Sequence, residues 1–303
     1  MTTETLNPRF VDLDLWPSAD ALEAMLEAQM AAVAAVRPAL CVLAQAAEAA
    51  AARLGTEGRL VYVGAGTSGR IGVQDGVELT PTFNWPPERT VFAMAGGEGA
   101  LLRSVENAED DRIGGAKAMD DLNVGAADVV IGVAASGTTP FTLGALERAR
   151  LRGAMTIGIA NNPGAPLLSA AEFAVLADTG AEVVAGSTRM KAGTAQKIIL
   201  NLFSTQLMIR LGRVYHGMMV DMRTTNAKLR QRGQTMVERI AGCDAAKAGE
   251  AFAAAKGDVK LALLIAHDVE PGRALSVLSR NSGNIRQALA EVGWGGDPVD
   301  DGC

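Results

Sequence analysis

Leu60-Val61-Tyr62-Val63-Gly64-Ala65-Gly66-Thr67-Ser68-Gly69-Arg70 decides the fold of this 303-residue chain. Four apolar or aromatic residues lead it, the composition of a buried strand. A glycine-rich turn with two hydroxyls follows, and Ile71 to Val77 can begin a helix. Strand, tight loop and helix N-terminus together make an anion site, because backbone N–H groups point outward there and the helix dipole favours negative charge. Gly64-x-Gly66-x-x-Gly69 also matches a dinucleotide fingerprint. That fold wants an acid at the end of the second strand, and here the first one, Glu98, falls late. Thr67 and Ser68 also stand where a dinucleotide loop needs only small residues. A plain strand-to-helix turn with no ligand is the bland alternative, weakened by two further loops.

Outward from this turn, strand and helix alternate from Arg59 to Asp178. Strands are predicted at Arg59–Val63, Thr90–Ala95, Asp128–Ala134, Met155–Ala160 and Phe173–Leu176. Most are continuous apolar runs, as in a parallel sheet covered on both faces. Helices are predicted at Gly69–Val77, Gly99–Asp121, Phe141–Leu151 and Leu167–Ala171. The pattern predicts a doubly wound α/β domain with a five-stranded parallel sheet, whose ligand sits beyond the carboxyl ends of the strands. Before it, Ser18 can cap a helix that Pro38 should break. A second, alanine-rich helix then runs to Leu54. After it, Ser187 or Thr188 caps a long helix, Arg189–Leu211. From about Leu229 to Val292, short helices separated by Gly, Asp-Val and Asn-Ser-Gly breaks form a small helical domain. The expected division is 1–56 (N-terminal segment and helical pair), 57–222 (sheet domain) and 223–303 (helical domain with a frayed acidic tail).

The composition is that of a globular enzyme, with 49% hydrophobic and 20% charged residues. A net charge of −6 argues against nucleic acid or an anionic membrane as partner, so any anion must be held by local groups. Three scattered cysteines fit a reducing compartment better than a disulfide framework. No Cys or His pair has metal-ligand spacing, and no uncharged run reaches the length of a membrane span. The polar N-terminus lacks the marks of a signal peptide. A cytoplasmic protein is expected.

Two more stretches carry chemistry. Ala135-Ser136-Gly137-Thr138-Thr139-Pro140 is a second hydroxyl-rich turn before a helix, and Ser136, Thr138 and Thr139 can each donate to a phosphate oxygen. Gly180 to Thr194 is a third Gly-Ser-Thr helix start, with Arg189 and Lys191 in its first turn. Cations there oppose the dipole unless they face an anion.

Gly64-Ala-Gly-Thr-Ser-Gly-Arg70, Ala135-Ser-Gly-Thr-Thr-Pro140 and Ser187-Thr-Arg-Met-Lys-Ala-Gly-Thr-Ala-Gln-Lys197 together resemble a sugar isomerase (SIS) domain. More closely, the chain resembles the N-acetylmuramic acid 6-phosphate etherases. Thr3-Glu4, Asn7-Pro8, Asn107-Ala-Glu-Asp110, Met219-Val220-Asp221 and Thr225-Asn226-Ala-Lys-Leu229 extend the likeness over nearly the whole chain. It departs from the family's usual pattern at Leu79-Thr80 and at Thr138, where the family usually has arginine.

The resemblance implies removal of D-lactate from carbon 3 of a phosphosugar by elimination and hydration, in cell-wall sugar recycling. That chemistry needs a base at carbon 2 and an acid at the leaving oxygen, and two carboxyl groups in different environments can supply both. The family's two catalytic glutamates fall on Glu78, the acid, and Glu109, the base. Read unaided, Glu109 is indistinguishable from Glu106, Asp110 or Asp111. The implied substrate contacts are Thr67, Ser68, Gly69, Ser136, Gly137, Thr138, Thr139, Ser187 and Lys191. A homodimer is implied, and no metal or other cofactor is expected. Two other readings use the same domain: an aldose–ketose isomerase with one carboxylate shuttle, and a non-catalytic phosphosugar sensor.

Overall fold

A computed structural model describes residues 1–103, 105–224 and 226–294. The chain divides into two compact units. The first comprises Met1–Val77 and Pro86–Leu207; the second comprises Glu78–Trp85 and Met208 onward.

The first unit is built on five parallel strands: β1 (Leu60–Gly64), β2 (Thr90–Met94), β3 (Val129–Val133), β4 (Met155–Ala160) and β5 (Phe173–Leu176), in spatial order β2-β1-β3-β4-β5. All five start within a residue of the predicted positions. β1, β3 and β4 are buried throughout, which is why they read as unbroken apolar runs. The chain steps from β1 to β2 in one direction and then from β3 to β5 in the other. Strand order therefore reverses between β1 and β3, the position at which such sheets bind ligands.

Helices cover both faces. Val61, Val63 and Val130 share a core with Phe141, Leu146 and Ala149 of α5 (Pro140–Leu151) and Met119 of α4 (Arg112–Asp121). Tyr62, on the alternate face, lies under α3 (Gly66–Phe83), where a Cβ added at Gly72 would stand 3.5 Å from the Tyr62 ring. α1 (Ser18–Ala34) and α2 (Leu40–Leu54) precede the sheet. Taken together, Ser18–Leu54 is long and apolar enough for a membrane span, but the Pro38-containing 3-10 turn Arg37–Ala39 splits it into helices of 17 and 15 residues. Ser18 does not cap α1; Pro17 holds that position.

α4 and α5 interlock through two glycines. A Cβ at Gly115 would lie 2.0 Å from the Phe141 carbonyl oxygen, and one at Gly144 would lie 2.1 Å from that of Arg112. Neither helix backbone can yield without parting the pair. Gly115→Ala is expected to cost ~1–3 kcal/mol, the scale of overpacking. Urea unfolding should show it as a lower midpoint at unchanged slope; an unmoved midpoint would refute the close contact.

One predicted helix is corrected. Gly99–Asp121 is not continuous: it comprises 3-10 turns at Glu98–Leu101 and Ala108–Asp110, followed by α4. Asn107 is left-handed at φ 61°, and the Asp111 carboxylate accepts the Gly114 N–H at 2.7 Å, capping α4. Residues 98–103 and 105–111 thus belong to a loop at the carboxyl end of β2, called the 98–111 loop below.

The remaining helices of the first unit are α6 (Pro166–Ala170) and most of α7 (Lys191–Arg210). The second unit holds α8 (Ala227–Ala241), α9 (Ala245–Ala254), α10 (Val259–Ala266), α11 (Pro271–Arg280) and α12 (Ile285–Glu291). Each begins with a side chain that accepts a first-turn N–H: Asn226, Asp244, Asp258, Glu270 and Asn284. The breaks visible in the sequence are the left-handed residues between these helices, among them Gly242, Gly257, Asp268, Ser282 and Gly283. Within this unit, Asp221 pairs with Arg213 and the buried Lys260, both at 3.0 Å. Arg213 also donates to the carbonyls of Phe83 and Asn84, fixing the end of α3. Burial pulls the Lys260 ammonium below its ordinary pKa, and Asp221 opposes that shift.

Candidate functional site

β1 and β3 are hydrogen-bonded neighbours with Gly64 opposite Val133, so their two hydroxyl-rich turns emerge side by side. α3 begins at Gly66, and the first N–H to reach back is that of Gly69, donating to Ala65 at 3.0 Å. The N–H groups of Gly66, Thr67 and Ser68 therefore have no helical acceptor. Gly69 is required by contact: its Cβ would lie 2.9 Å from the Gly64 carbonyl oxygen. Ser68 is nearly buried and Thr67 half-buried.

In the second turn, Gly137 sits at φ 65°, and a Cβ there would meet Ala165 at 2.4 Å. Ser136 Oγ accepts from both the N–H and the hydroxyl of Thr138, each at 3.1 Å. Its own proton remains available to a ligand. Thr139 precedes α5 without using its hydroxyl as a cap.

The third turn differs from expectation. α7 starts at Lys191, and among the described residues neither the Ser187 nor the Thr188 hydroxyl caps it. The buried Glu182 does so, accepting the N–H groups of Lys191 and Ala192, both at 2.9 Å. An internal carboxylate thus supplies the anion that offsets cations in this turn. Lys191 Nζ donates to the Ala181 carbonyl at 2.9 Å. Ser187 is half-buried, and its N–H donates to Val184. The turn reaches α3, since a Cβ at Gly193 would lie 3.5 Å from the Thr67 methyl.

Beyond β1 and β2 lies a cavity of about 250 Å³, lined by Gly66 and Arg70 of α3, Met94 of β2, and Glu106, Asn107 and Glu109 of the 98–111 loop. Two of the four acids left open by sequence therefore face one space. Asp111 instead caps α4, and Asp110 does not line the cavity. Glu78 belongs to the second unit and is exposed, beside the half-exposed Val77.

Several supporting residues were not anticipated. Asp75 is buried and accepts from Tyr62 Oη (2.9 Å), Asn201 Nδ2 (2.6 Å) and Ser204 Oγ (3.1 Å), tying α3 to β1 and α7. Burial raises its carboxyl pKa, and these hydrogen bonds oppose the rise. Thr3 is fully buried. Asn162 receives Thr3 N–H at 3.3 Å and donates to Thr3 Oγ1 (3.0 Å) and to the Ala135 carbonyl (2.9 Å). Gly186 N–H donates to the Thr3 carbonyl. The N-terminal turn thus joins the second and third loops. The sequence hint was Thr3 within a motif, with no partner visible.

A parallel sheet with hydroxyl-rich turns at its reversal point defines the class: the model of the SIS domain matches residues 112–206, and that of the glucokinase regulatory protein N-terminal SIS domain matches residues 42–150. The fold is shared with a Bacteroides fragilis protein assigned to the phosphosugar isomerases, at a TM-score of 0.51 and 22% identity, covering 66% of this chain and 95% of that one. The chain is 50% identical over 290 residues to the N-acetylmuramic acid 6-phosphate etherase of Deinococcus radiodurans, with 95% of each chain covered. It is 43% identical over 292 residues to that of Rubrobacter xylanophilus, with 96% of each covered. This chain belongs to the N-acetylmuramic acid 6-phosphate etherase family.

Proposed function

We propose that the chain is a carbon–oxygen lyase that cleaves the D-lactyl ether of N-acetylmuramic acid 6-phosphate. The products are N-acetylglucosamine 6-phosphate and D-lactate, and the reaction serves peptidoglycan recycling in the cytoplasm. The observation that carries this is the pairing of two anion turns at the β1/β3 reversal with a carboxylate-lined cavity beside them. The 6-phosphate is held by Thr67, Ser68, Gly69 and the 136–139 turn, with Ser187 and Lys191 contributing from the third. Glu109 takes the carbon 2 proton from the ring-opened sugar. Glu78 protonates the departing lactate oxygen, and water then adds to the alkene.

Glu78 lies ten residues beyond Ser68 on α3, which runs unbroken from Gly66 to Phe83. A straight helix separates them by about 15 Å, too far for one sugar phosphate. We infer a homodimer in which Glu78 of one subunit serves the phosphate turns of the other. The exposed apolar stripe of α1 (Leu22 at 65%, Leu26 at 63%, Met30 at 67%) gives a second copy a surface to cover.

Incubation with N-acetylmuramic acid 6-phosphate tests the activity: lactate and N-acetylglucosamine 6-phosphate are expected in equal amounts. Ketose formation would favour an isomerase, and binding without product a sensor. For the phosphate turns, Ser68→Ala and Ser136→Ala are each expected to weaken binding by ~1.5–3 kcal/mol, the scale of hydrogen bonds to a charged group. Titration with N-acetylglucosamine 6-phosphate and its unphosphorylated counterpart reads this directly. Equal binding of both sugars by the native chain would overturn the phosphate assignment.

A further inference from the structure

The substrate proposed above carries two anions, the 6-phosphate and the carboxylate of its lactyl group, and only the first has been given partners. We propose that Arg70 is the specificity-determining residue that receives the lactyl carboxylate. This inference rests on the etherase reading.

Among the described residues that line the cavity, Arg70 is the one cation, and it shares that space with the carboxylates of Glu106 and Glu109. Among the described residues, neither glutamate is in an ion pair. A third carboxylate entering such a space is repelled unless a positive group meets it. Arg70 is half-buried and held in place. Its Nε donates to the Leu101 carbonyl at 3.1 Å, and its Nη2 to that of Ala100 at 2.8 Å. A guanidinium has five N–H donors in a planar fork. Two are used here, and among the described residues Nη1 has no partner. The Nη1–Nη2 edge therefore still has hydrogens to donate, on a guanidinium oriented by backbone carbonyls and shaped to take a carboxylate at two points.

The placement also follows the substrate's own geometry. Carbon 3, mid-chain and next to carbon 2, is set apart from the phosphorylated carbon 6 by carbons 4 and 5. A phosphate held at the start of α3 and α5 leaves the lactyl end to the neighbouring cavity, where Glu109 awaits the carbon 2 proton. After elimination the carboxylate departs with lactate. The remaining sugar phosphate has no group for Arg70, so the contact separates substrate from product.

The test compares KM for N-acetylmuramic acid 6-phosphate with the inhibition constant of N-acetylglucosamine 6-phosphate in the native chain, Arg70→Gln and Arg70→Lys. Arg70→Gln is expected to raise KM ~10- to 100-fold, the range for a charged hydrogen-bonded partner, and to leave product inhibition within about twofold. Arg70→Lys should recover part of the loss. Parallel loss of both constants would overturn the proposal, because it would mean that Arg70 only holds the 98–101 turn. A second measurement needs no variant: the lactamide analogue, neutral where the substrate is charged, should bind the native chain ~10- to 100-fold more weakly than the acid. Equal binding of amide and acid refutes the carboxylate contact. Failure of the native chain to release lactate at all refutes the etherase reading instead, so the two failures are distinguishable.

Discussion

Glu109→Gln should release lactate ~10²- to 10⁴-fold more slowly than the native chain, the range lost when a positioned general base is removed. The substitution keeps the size and hydrogen-bonding reach of the side chain and removes its basicity. Glu109 sits on the 3-10 turn Ala108–Asp110, between left-handed Asn107 and the capping Asp111. The loop places it against the cavity, and its side chain is exposed with no structural hydrogen bond among the described residues. Folding stability should therefore be unchanged, and a urea midpoint within error of the native value makes the kinetic loss attributable to chemistry. Glu106 lines the same cavity and provides the control. Glu106→Gln should keep most of the activity. Reversal of the two phenotypes, or a Glu109→Gln rate within tenfold of native, would remove Glu109 from the base role.

Mixing two crippled chains should restore activity. Ser68→Ala lacks a phosphate donor, and Glu78→Ala lacks the proposed acid. If the site takes Ser68 from one subunit and Glu78 from the other, each mixed dimer has one intact site and one doubly damaged site. Random exchange between equal amounts should then recover about one quarter of native activity, since half the two-fold symmetric dimers are mixed and each has one working site of two. The physical reason is the unbroken α3. Gly72 and Gly76 are positions at which a break would have brought Glu78 back towards its own Ser68. Instead Gly72 lies over Tyr62 and Gly76 over Phe92, small residues that let the helix approach the sheet. No recovery in dimers confirmed to be mixed would mean that both residues serve one chain.

The sheet was legible because β1, β3 and β4 are buried on both faces, and a short, continuous apolar run bounded by turn residues fits little else. The hydroxyl-rich turns were legible because strand, glycine turn and hydroxyl compress into adjacent residues. Side chains that work through distant partners left no such trace. Glu182 reads as a surface acid until its carboxylate is seen on the first N–H groups of α7. Asp75 is the buried acid at the i−3 position to Glu78, and only Tyr62, Asn201 and Ser204 explain it. From Gly99 onward the 98–111 loop reads as helix because glycine, alanine and charged residues are compatible with one. A single cap at Asp111 and a left-handed Asn107 decided otherwise. That loop carries Glu109, so the same local detail hid the proposed base among four acids. The likeness to the etherases selected it, and the cavity narrowed the four to two.

The central claim is that two carboxylates perform separate proton transfers, the first of which precedes loss of lactate. Proton NMR of N-acetylmuramic acid 6-phosphate in deuterated water with Glu78→Gln tests it most directly. Exchange of the carbon 2 hydrogen should proceed while no lactate appears, because Glu109 still removes the proton and nothing protonates the leaving oxygen. Glu109→Gln, run beside it, should show neither exchange nor lactate. Exchange by Glu109→Gln with none by Glu78→Gln would contradict the account by reversing the roles, and exchange by neither would contradict it by making the elimination concerted.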